Sequence, residues 1–353
     1  MMKVKKIETN EITPEAKASL KKRVITALVM AAIAFPCIIL GNWLFFGFIV
    51  VLTIMSAYEL VHITKIEGKL KIVIYVFVIV LMLLLVNYIF FKNNWETLKR
   101  GDSITAWSFV NNSFNNIELS SMLIILVAIV FFMISFITEK MTMFYVFYFI
   151  TMLIVISIGI QSFLYLRFSP YQAWNDAKQI ALICNVDISS TSFQYFESLL
   201  LVLYVCIGVM MNDIGAYFVG MLFGKHKMNP RISPKKTWEG FVGGIVISAL
   251  FSIVFALIMS IVKKPILPRF AFEEQFYWVP IISIVMPLAG DVGDFVFSAI
   301  KRNAGIKDFS NLLPGHGGIL DRIDSLLFAG GSVAAMIALM DFVQPLIQEI
   351  IVS

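Results

Sequence analysis

Apolar runs long enough to cross a bilayer as helices, about 20 residues each, recur along this chain between polar segments. They fall at roughly 24–40, 43–61, 72–91, 121–137, 143–164, 198–211, 241–262, 277–299 and 326–350. The pattern predicts an all-α polytopic integral membrane protein with about nine transmembrane helices. The first run is short enough to pass for a signal-peptide core. The polar segment before it is long and a second run follows at once, so it reads as a span. The sixth run is also short. It can extend through Asp213 toward Val219, which would put an acid inside it.

Composition supports this. Of 353 residues, 59% are hydrophobic and 14% charged, with a mean hydropathy of +0.87. A soluble domain is about 45–50% apolar and about 25% charged. The net charge of +5 is modest, and no soluble domain carries a basic face, which excludes nucleic-acid binding. Cys37 and Cys206 lie in apolar runs and read as buried, inert thiols. With Cys184 they make neither a zinc spacing nor a disulfide framework.

Basic residues set the orientation. With the N-terminus in the cytoplasm, the inside segments 1–23, 62–71, 138–142, 212–240 and 300–325 carry 20 of the 28 lysines and arginines. Three regions follow: a cytoplasmic tail (1–23), an N-terminal transmembrane region (24–197) and a C-terminal transmembrane region (198–353). The outside loops 92–120 and 165–197 are long and rich in Asn, Ser and Thr, and carry no evident chemistry. Lys21-Lys22-Arg23 reads as an orientation signal touching anionic lipid heads.

The polar residues of the C-terminal region are too dense for lipid-facing surface. Residues 298–324 hold Lys301, Arg302, Lys307, Asp308, His316, Asp321, Arg322 and Asp324 around the turn Gly315-His316-Gly317-Gly318. Cations at this density beside carboxylates three apart suggest metal-assisted chemistry on phosphates. Asp321 and Asp324, at i and i+3, suit Mg²⁺, and the glycines let backbone approach a ligand. His316 is a candidate base, phosphate donor or turn residue.

Asp291 and Asp294 lie inside an apolar run, where each ionised carboxylate costs about 2.5–3.5 kcal/mol on insertion scales. They must face the bundle interior, either in a site or paired with nearby cations. With Ser298 and Lys301 they form one helical stripe, and Pro287 and Gly290 are expected to break the helix before it. Asp213 heads a face with Tyr217, Gly220 and Gly224. The glycines predict close helix contact, and the acid is either a boundary residue or part of the site. Ser233-Pro234 predicts a helix start with Ser233 as N-cap. Lys235 and Lys236 would then oppose the helix dipole unless a phosphate sat there. Alternatively they are ordinary lysines at a cytoplasmic boundary.

These motifs resemble the signatures of the phosphatidate cytidylyltransferases (CDP-diacylglycerol synthases). The likeness rests on Ser298, Lys301-Arg302, Lys307-Asp308, Pro314, His316-Gly317-Gly318, Asp321-Arg322 and Asp324. Further matches are Ser233-Pro234-Lys235-Lys236-Thr237-Trp238-Glu239-Gly240, the segment from Asp213 to Gly220, and Leu20 to Ala27 at the N-terminus. It is strong over 205–330, while 62–200 matches in hydrophobic character alone. Phe297 stands where many members carry Glu, Asn212 where Thr or a small residue is common, and the outside loops are long.

The resemblance implies transfer of cytidylyl from CTP to phosphatidate, with Mg²⁺, a second ion such as K⁺, and a homodimer. The setting would be the plasma (inner) membrane, with the site facing the cytoplasm. It gives catalytic roles to Asp291, Asp294, Lys301, His316, Asp321 and Asp324, and metal ligation to Asp213, Asp294, Asp321 and Asp324. Substrate binding would fall to Ser233, Lys235, Lys236, Ser298, Arg302, Lys307, Gly317, Gly318 and Arg322. A related CTP-dependent lipid kinase would use similar chemistry on a lipid alcohol. A transporter would show repeated halves, and the polar residues here have no N-terminal counterpart.

Overall fold

The computed structural model describes residues 14–99 except 65 and 67, 117–168 except 140, and 191–352 except 268, 269 and 272–274. The tail 1–13, loop residues 100–116 and 169–190, and Cys184 lie outside the described residues. Among the described residues the chain forms nine long helices. They are α1 (Pro14–Leu40), α2 (Asn42–His62), α3 (Lys69–Lys99), α4 (Ile117–Ile137), α5 (Met143–Phe168), α6 (Thr191–Phe223), α7 (Trp238–Ile261), α8 (Trp278–Asn303) and α9 (Leu320–Val352). Each coincides with one apolar run. Seven contain segments long and apolar enough to span a bilayer, so the protein is a polytopic integral membrane protein. The sixth run does extend: α6 passes through Asp213 to Phe223.

Apolar side chains divide between inner packing and an outward face. Phe45, Leu60, Val78, Met82, Phe131 and Phe149 form one buried cluster, which continues through Phe297, Phe309 and Leu320 into the C-terminal region. Tyr204, Val205, Ala256, Ile282, Met286 and Val333 form a second among α6 to α9. Leu28, Ile72, Phe136, Phe144, Leu222 and Val246 remain exposed on the outer surface, as lipid-facing residues should.

Two expectations are corrected. Residues Ser233–Thr237 do not open a helix; they form strand β2, antiparallel to β1 (Lys227–Asn229). The Asn229 side-chain oxygen accepts from the backbone N–H groups of Arg231 (3.2 Å) and Ile232 (3.3 Å), which turns the chain back on itself. Helix α7 starts at Trp238. Its N-cap is Thr237, extended at φ −121° and ψ 154°, whose hydroxyl accepts from Gly240 N. Lys235 and Lys236 therefore precede the helix and lie outside its first turn.

Helix α8 also runs unbroken through Pro287 and Gly290. Gly290 serves packing instead: an added Cβ would lie 3.4 Å from the Ser325 carbonyl oxygen of α9. Gly293 is tighter, with its Cβ position 2.7 Å from the Asp324 carbonyl oxygen. These two glycines draw α8 and α9 together, and their acids with them.

Candidate active site

The acids and lysines of the C-terminal region converge from α6, β2, α8 and α9. Lys236, delivered by β2, places its ammonium 2.8 Å from Asp291 Oδ1 and 2.7 Å from Asp294 Oδ2. Burial works against that charge, but Asp294 and Asp291 outweigh it and hold the Lys236 pKa above the ordinary lysine value. Asp291 is buried, and its second oxygen accepts from Asn212 Nδ2 of α6 at 3.0 Å. Asp294 is more open and accepts from Ser298 Oγ at 3.4 Å.

One turn on, Lys301 and Asp321 form a buried pair with Nζ 2.6 Å from Oδ1. Asp321 Oδ2 accepts from the backbone N–H groups of Phe309 (2.8 Å) and Gly318 (2.9 Å). Asp321 thus fastens the glycine turn to the start of α9, its two oxygens taken up by protein donors. Asp324 is buried on the same helix; Oδ1 accepts from Ser325 N at 2.9 Å. Asp324 feels the charges of Asp294, Lys301 and Asp321. Asp213, on α6, is exposed yet within electrostatic reach of Asp294, Lys236, Asp291 and Arg322.

Lys235, Arg302, Lys307 and Arg322 carry exposed side chains. Arg302 Nη1 donates to Ile306 O at 3.0 Å. Ser233 is half-buried on β2, away from any cap role. In the turn, Gly315 (φ 79°) and Gly317 (φ 83°) adopt the left-handed backbone that glycine allows. A Cβ at Gly317 would lie 3.0 Å from Asp321 Oδ2. His316 is half-buried, and its Nδ1 is sealed from solvent without a protein partner.

Two further residues contact this arrangement. Asn212, noted in the sequence reading only as a departure from the pattern, anchors Asp291. Glu59 of α2 is fully buried and accepts from Ser310 Oγ (2.7 Å), Ile319 N (2.7 Å) and Leu320 N (2.8 Å). Its signal was a lone carboxylate inside the second apolar run. Helix α1 reaches the turn too: Thr26 Oγ1 donates to Pro314 O at 2.9 Å. Phe297, where a carboxylate is common, is buried against Phe309 and Phe328.

The donor set suits a hard divalent cation. Asp213, Asp294 and Asp324 offer carboxylate oxygens in excess of adjacent positive charge. Among the described residues no three His, Cys, Asp or Glu side chains stand in a ready-made metal cage. Mg²⁺ does not require one, because it takes one or two carboxylates and completes its shell with water and phosphate oxygens.

Comparison with known proteins agrees with this chemistry. The chain is 44% identical over 127 residues to the phosphatidate cytidylyltransferase of Bacillus subtilis (strain 168), covering 36% of this chain and 43% of that protein. It is 40% identical over 141 residues to the enzyme of that name from Staphylococcus haemolyticus (strain JCSC1435), covering 38% and 50%. With that of Mycobacterium bovis (strain ATCC BAA-935 / AF2122/97) the identity is 42% over 134 residues, covering 38% and 39%. The chain thus spans about half or less of the curated relatives it matches. The match to the cytidylyltransferase family runs over residues 21–340. Spanning nearly the whole transmembrane bundle and every residue of the carboxylate–lysine cluster, it shows that this chain belongs to the cytidylyltransferase family.

Proposed function

We propose that this protein transfers the cytidylyl group of CTP to phosphatidate, giving CDP-diacylglycerol and pyrophosphate, at the cytoplasmic face of the plasma membrane. The observation that carries the reading is the convergence of Asp213, Asp291, Asp294, Asp321 and Asp324 with Lys236 and Lys301 in a transmembrane bundle. The names of the relatives and the excess of basic residues on one side support it.

An oxygen of the phosphatidate phosphate attacks the α-phosphorus of CTP. A new P–O bond forms as the bond to the β-phosphate oxygen breaks, and pyrophosphate leaves with that electron pair. The nucleophile is already ionised, so no strong base is needed, and catalysis is positioning plus charge neutralisation. Lys235, Lys236, Arg302, Lys307 and Arg322 hold the phosphates, with the Gly317-Gly318 backbone and Ser298 beside them. Ser233 acts through the strand that delivers Lys236. His316 donates to a phosphate oxygen or positions the turn. Asp291 orients Lys236, and Lys301 with Asp321 fixes the loop.

Asp294 and Asp324, with Asp213, would hold Mg²⁺, and a K⁺ ion would take a neighbouring position. When bound, Mg²⁺ supplies neutralisation of the triphosphate charge. The C-terminal region (198–353) carries this chemistry, the N-terminal region (24–197) supports it, and the protein works as a homodimer.

The test uses purified protein in detergent with phosphatidate, radiolabelled CTP and Mg²⁺. Label is expected in a chloroform-soluble product and is lost with chelator or with Asp324→Asn. Label that stays in the aqueous phase while phosphate moves to a lipid alcohol would overturn the reading in favour of a kinase.

A further inference from the structure

We propose that Glu59 is a positioning residue for the site, acting from α2 through the loop that runs from Phe309 to Leu320. The inference rests on the functional reading above for its kinetic consequence, but its structural half stands independently.

A carboxylate in a transmembrane helix is costly unless it has a task and partners. Glu59 has no exposed surface, and its carboxylate accepts from three donors, all from one loop 251 to 261 residues away. Oε1 takes the Ser310 hydroxyl and Ile319 N–H; Oε2 takes Leu320 N–H. The last two belong to the N-terminus of α9, where backbone N–H groups lack helical partners and negative charge is favoured. Glu59 therefore caps α9 from another helix.

The same contact explains a glycine. A Cβ at Gly318 would lie 2.5 to 2.7 Å from the Glu59 carboxylate atoms, so only glycine admits the acid. On the other side of this turn, Asp321 Oδ2 accepts from Gly318 N and Phe309 N. The loop is held between two carboxylates, one external and one internal. Thr26 and Arg23 of α1 close against its tip, at Pro314 and Gly315. Asp321 lies one residue beyond the capped Leu320 and Asp324 one turn further, so the capped end of α9 sets where they stand relative to Lys301 and Asp294. Loss of the cap releases the geometry without removing any group that touches substrate.

Glu59→Gln is isosteric but turns one acceptor into an NH₂ facing an N–H. Glu59→Asp keeps the charge and shortens the reach. For each, kcat and KM for CTP would be measured with hydrogen exchange of the backbone amides from 309 to 320, on detergent-purified full-length protein of matched folded fraction. The expected result for Glu59→Gln is a kcat lowered about 10- to 100-fold. KM for CTP should stay within about threefold of wild type, because the phosphate-binding cations remain. Exchange should accelerate in 309–320 and not in α6 or α7, with partial recovery in Glu59→Asp.

A purely structural role would lower the folded fraction and leave kcat per folded molecule unchanged, and that would overturn the proposal. If Glu59→Gln does not fold, Ser310→Ala removes one donor from the loop side. Faster exchange at 309–320 with a kcat loss of about threefold or more supports the proposal; wild-type values of both overturn it. Should the wild-type protein transfer no cytidylyl group, the functional reading fails. The exchange measurement then still decides whether Glu59 holds the loop.

Discussion

Replacing Lys301 by Met tests how the buried pair at the base of the site works. Lys301 and Asp321 side chains are 9% and 2% exposed, and their charged atoms lie 2.6 Å apart. The substitution keeps most of the volume and the contact with Phe309, over whose ring the ammonium sits at 5.4 Å. It leaves the Asp321 carboxylate buried without its cation. Stranding one member of such a pair costs about 3–5 kcal/mol. Asp321 retains two backbone N–H donors, at 2.8 and 2.9 Å, and hydrogen bonds to a charged group are worth about 1.5–3 kcal/mol each. That compensation places the expected loss at the lower end, about 3 kcal/mol. Asp321→Asn should cost a similar amount, since the amide accepts through one oxygen only and strands the ammonium.

The double variant loses both charges together and should cost far less than the two losses combined, leaving a coupling of about 2 kcal/mol or more. Reversible unfolding in mixed detergent micelles reads all three variants against wild type. Losses that add to within about 0.5 kcal/mol would show that the two side chains are not a pair in the folded membrane protein.

Three further outcomes follow from the same geometry. Gly318→Ala drives a methyl group into the Glu59 carboxylate and should lower activity at least as far as Glu59→Gln, about tenfold or more; wild-type turnover would contradict the fit. Gly293→Ala forces α8 from α9 at Asp324 and should destabilise by about 1–3 kcal/mol in the same unfolding assay, while no loss would mean the helices are less closely packed. The pKa of Lys236 is held up when folded, so its stabilisation is complete below the unfolded lysine value of about 10.4 and fades as pH rises past the folded one. The difference in melting temperature between wild type and Lys236→Met should shrink in strong alkali, as pH passes the folded lysine value; a difference that persists unchanged there would contradict the assignment.

The helices were legible because burying apolar backbone in lipid leaves few choices: a long apolar run without charge must be a spanning helix. The stripe of Asp291, Asp294, Ser298 and Lys301 was legible for a related reason, since helical spacing alone puts those residues on one side. The hairpin was not. Ser233-Pro234 has the local chemistry of a helix start, but its conformation is decided by a turn at Asn229 and by pairing with residues 227–229. Such pairing carries little local signal. Glu59 escaped notice because its partners Ile319 and Leu320 contribute backbone N–H groups, which every residue but proline carries. Pro287 misled because proline is tolerated within a helix when surrounding packing restores what it disrupts.

The acids of this protein divide by what already holds them. Glu59 and Asp321 spend their oxygens on protein donors, and Asp291 divides its two between Asn212 and Lys236. Each fixes a neighbour: the loop, the glycine turn, the hairpin lysine. Asp294 shares one lysine and lies partly open, Asp324 has Ser325 as its protein partner, and Asp213 sits at the exposed rim. A ligand that brings positive charge gains most where carboxylates are least satisfied, because elsewhere it must first displace bonds already made. The same division explains why polar residues can sit in a bundle this apolar. Satisfied acids hold the shape without a ligand, while Asp294 and Asp324 are held in place by close helix packing at Gly290 and Gly293. That packing, set by residues without side chains, keeps like charges on α8 and α9 near one another, the arrangement that the proposed cation site requires.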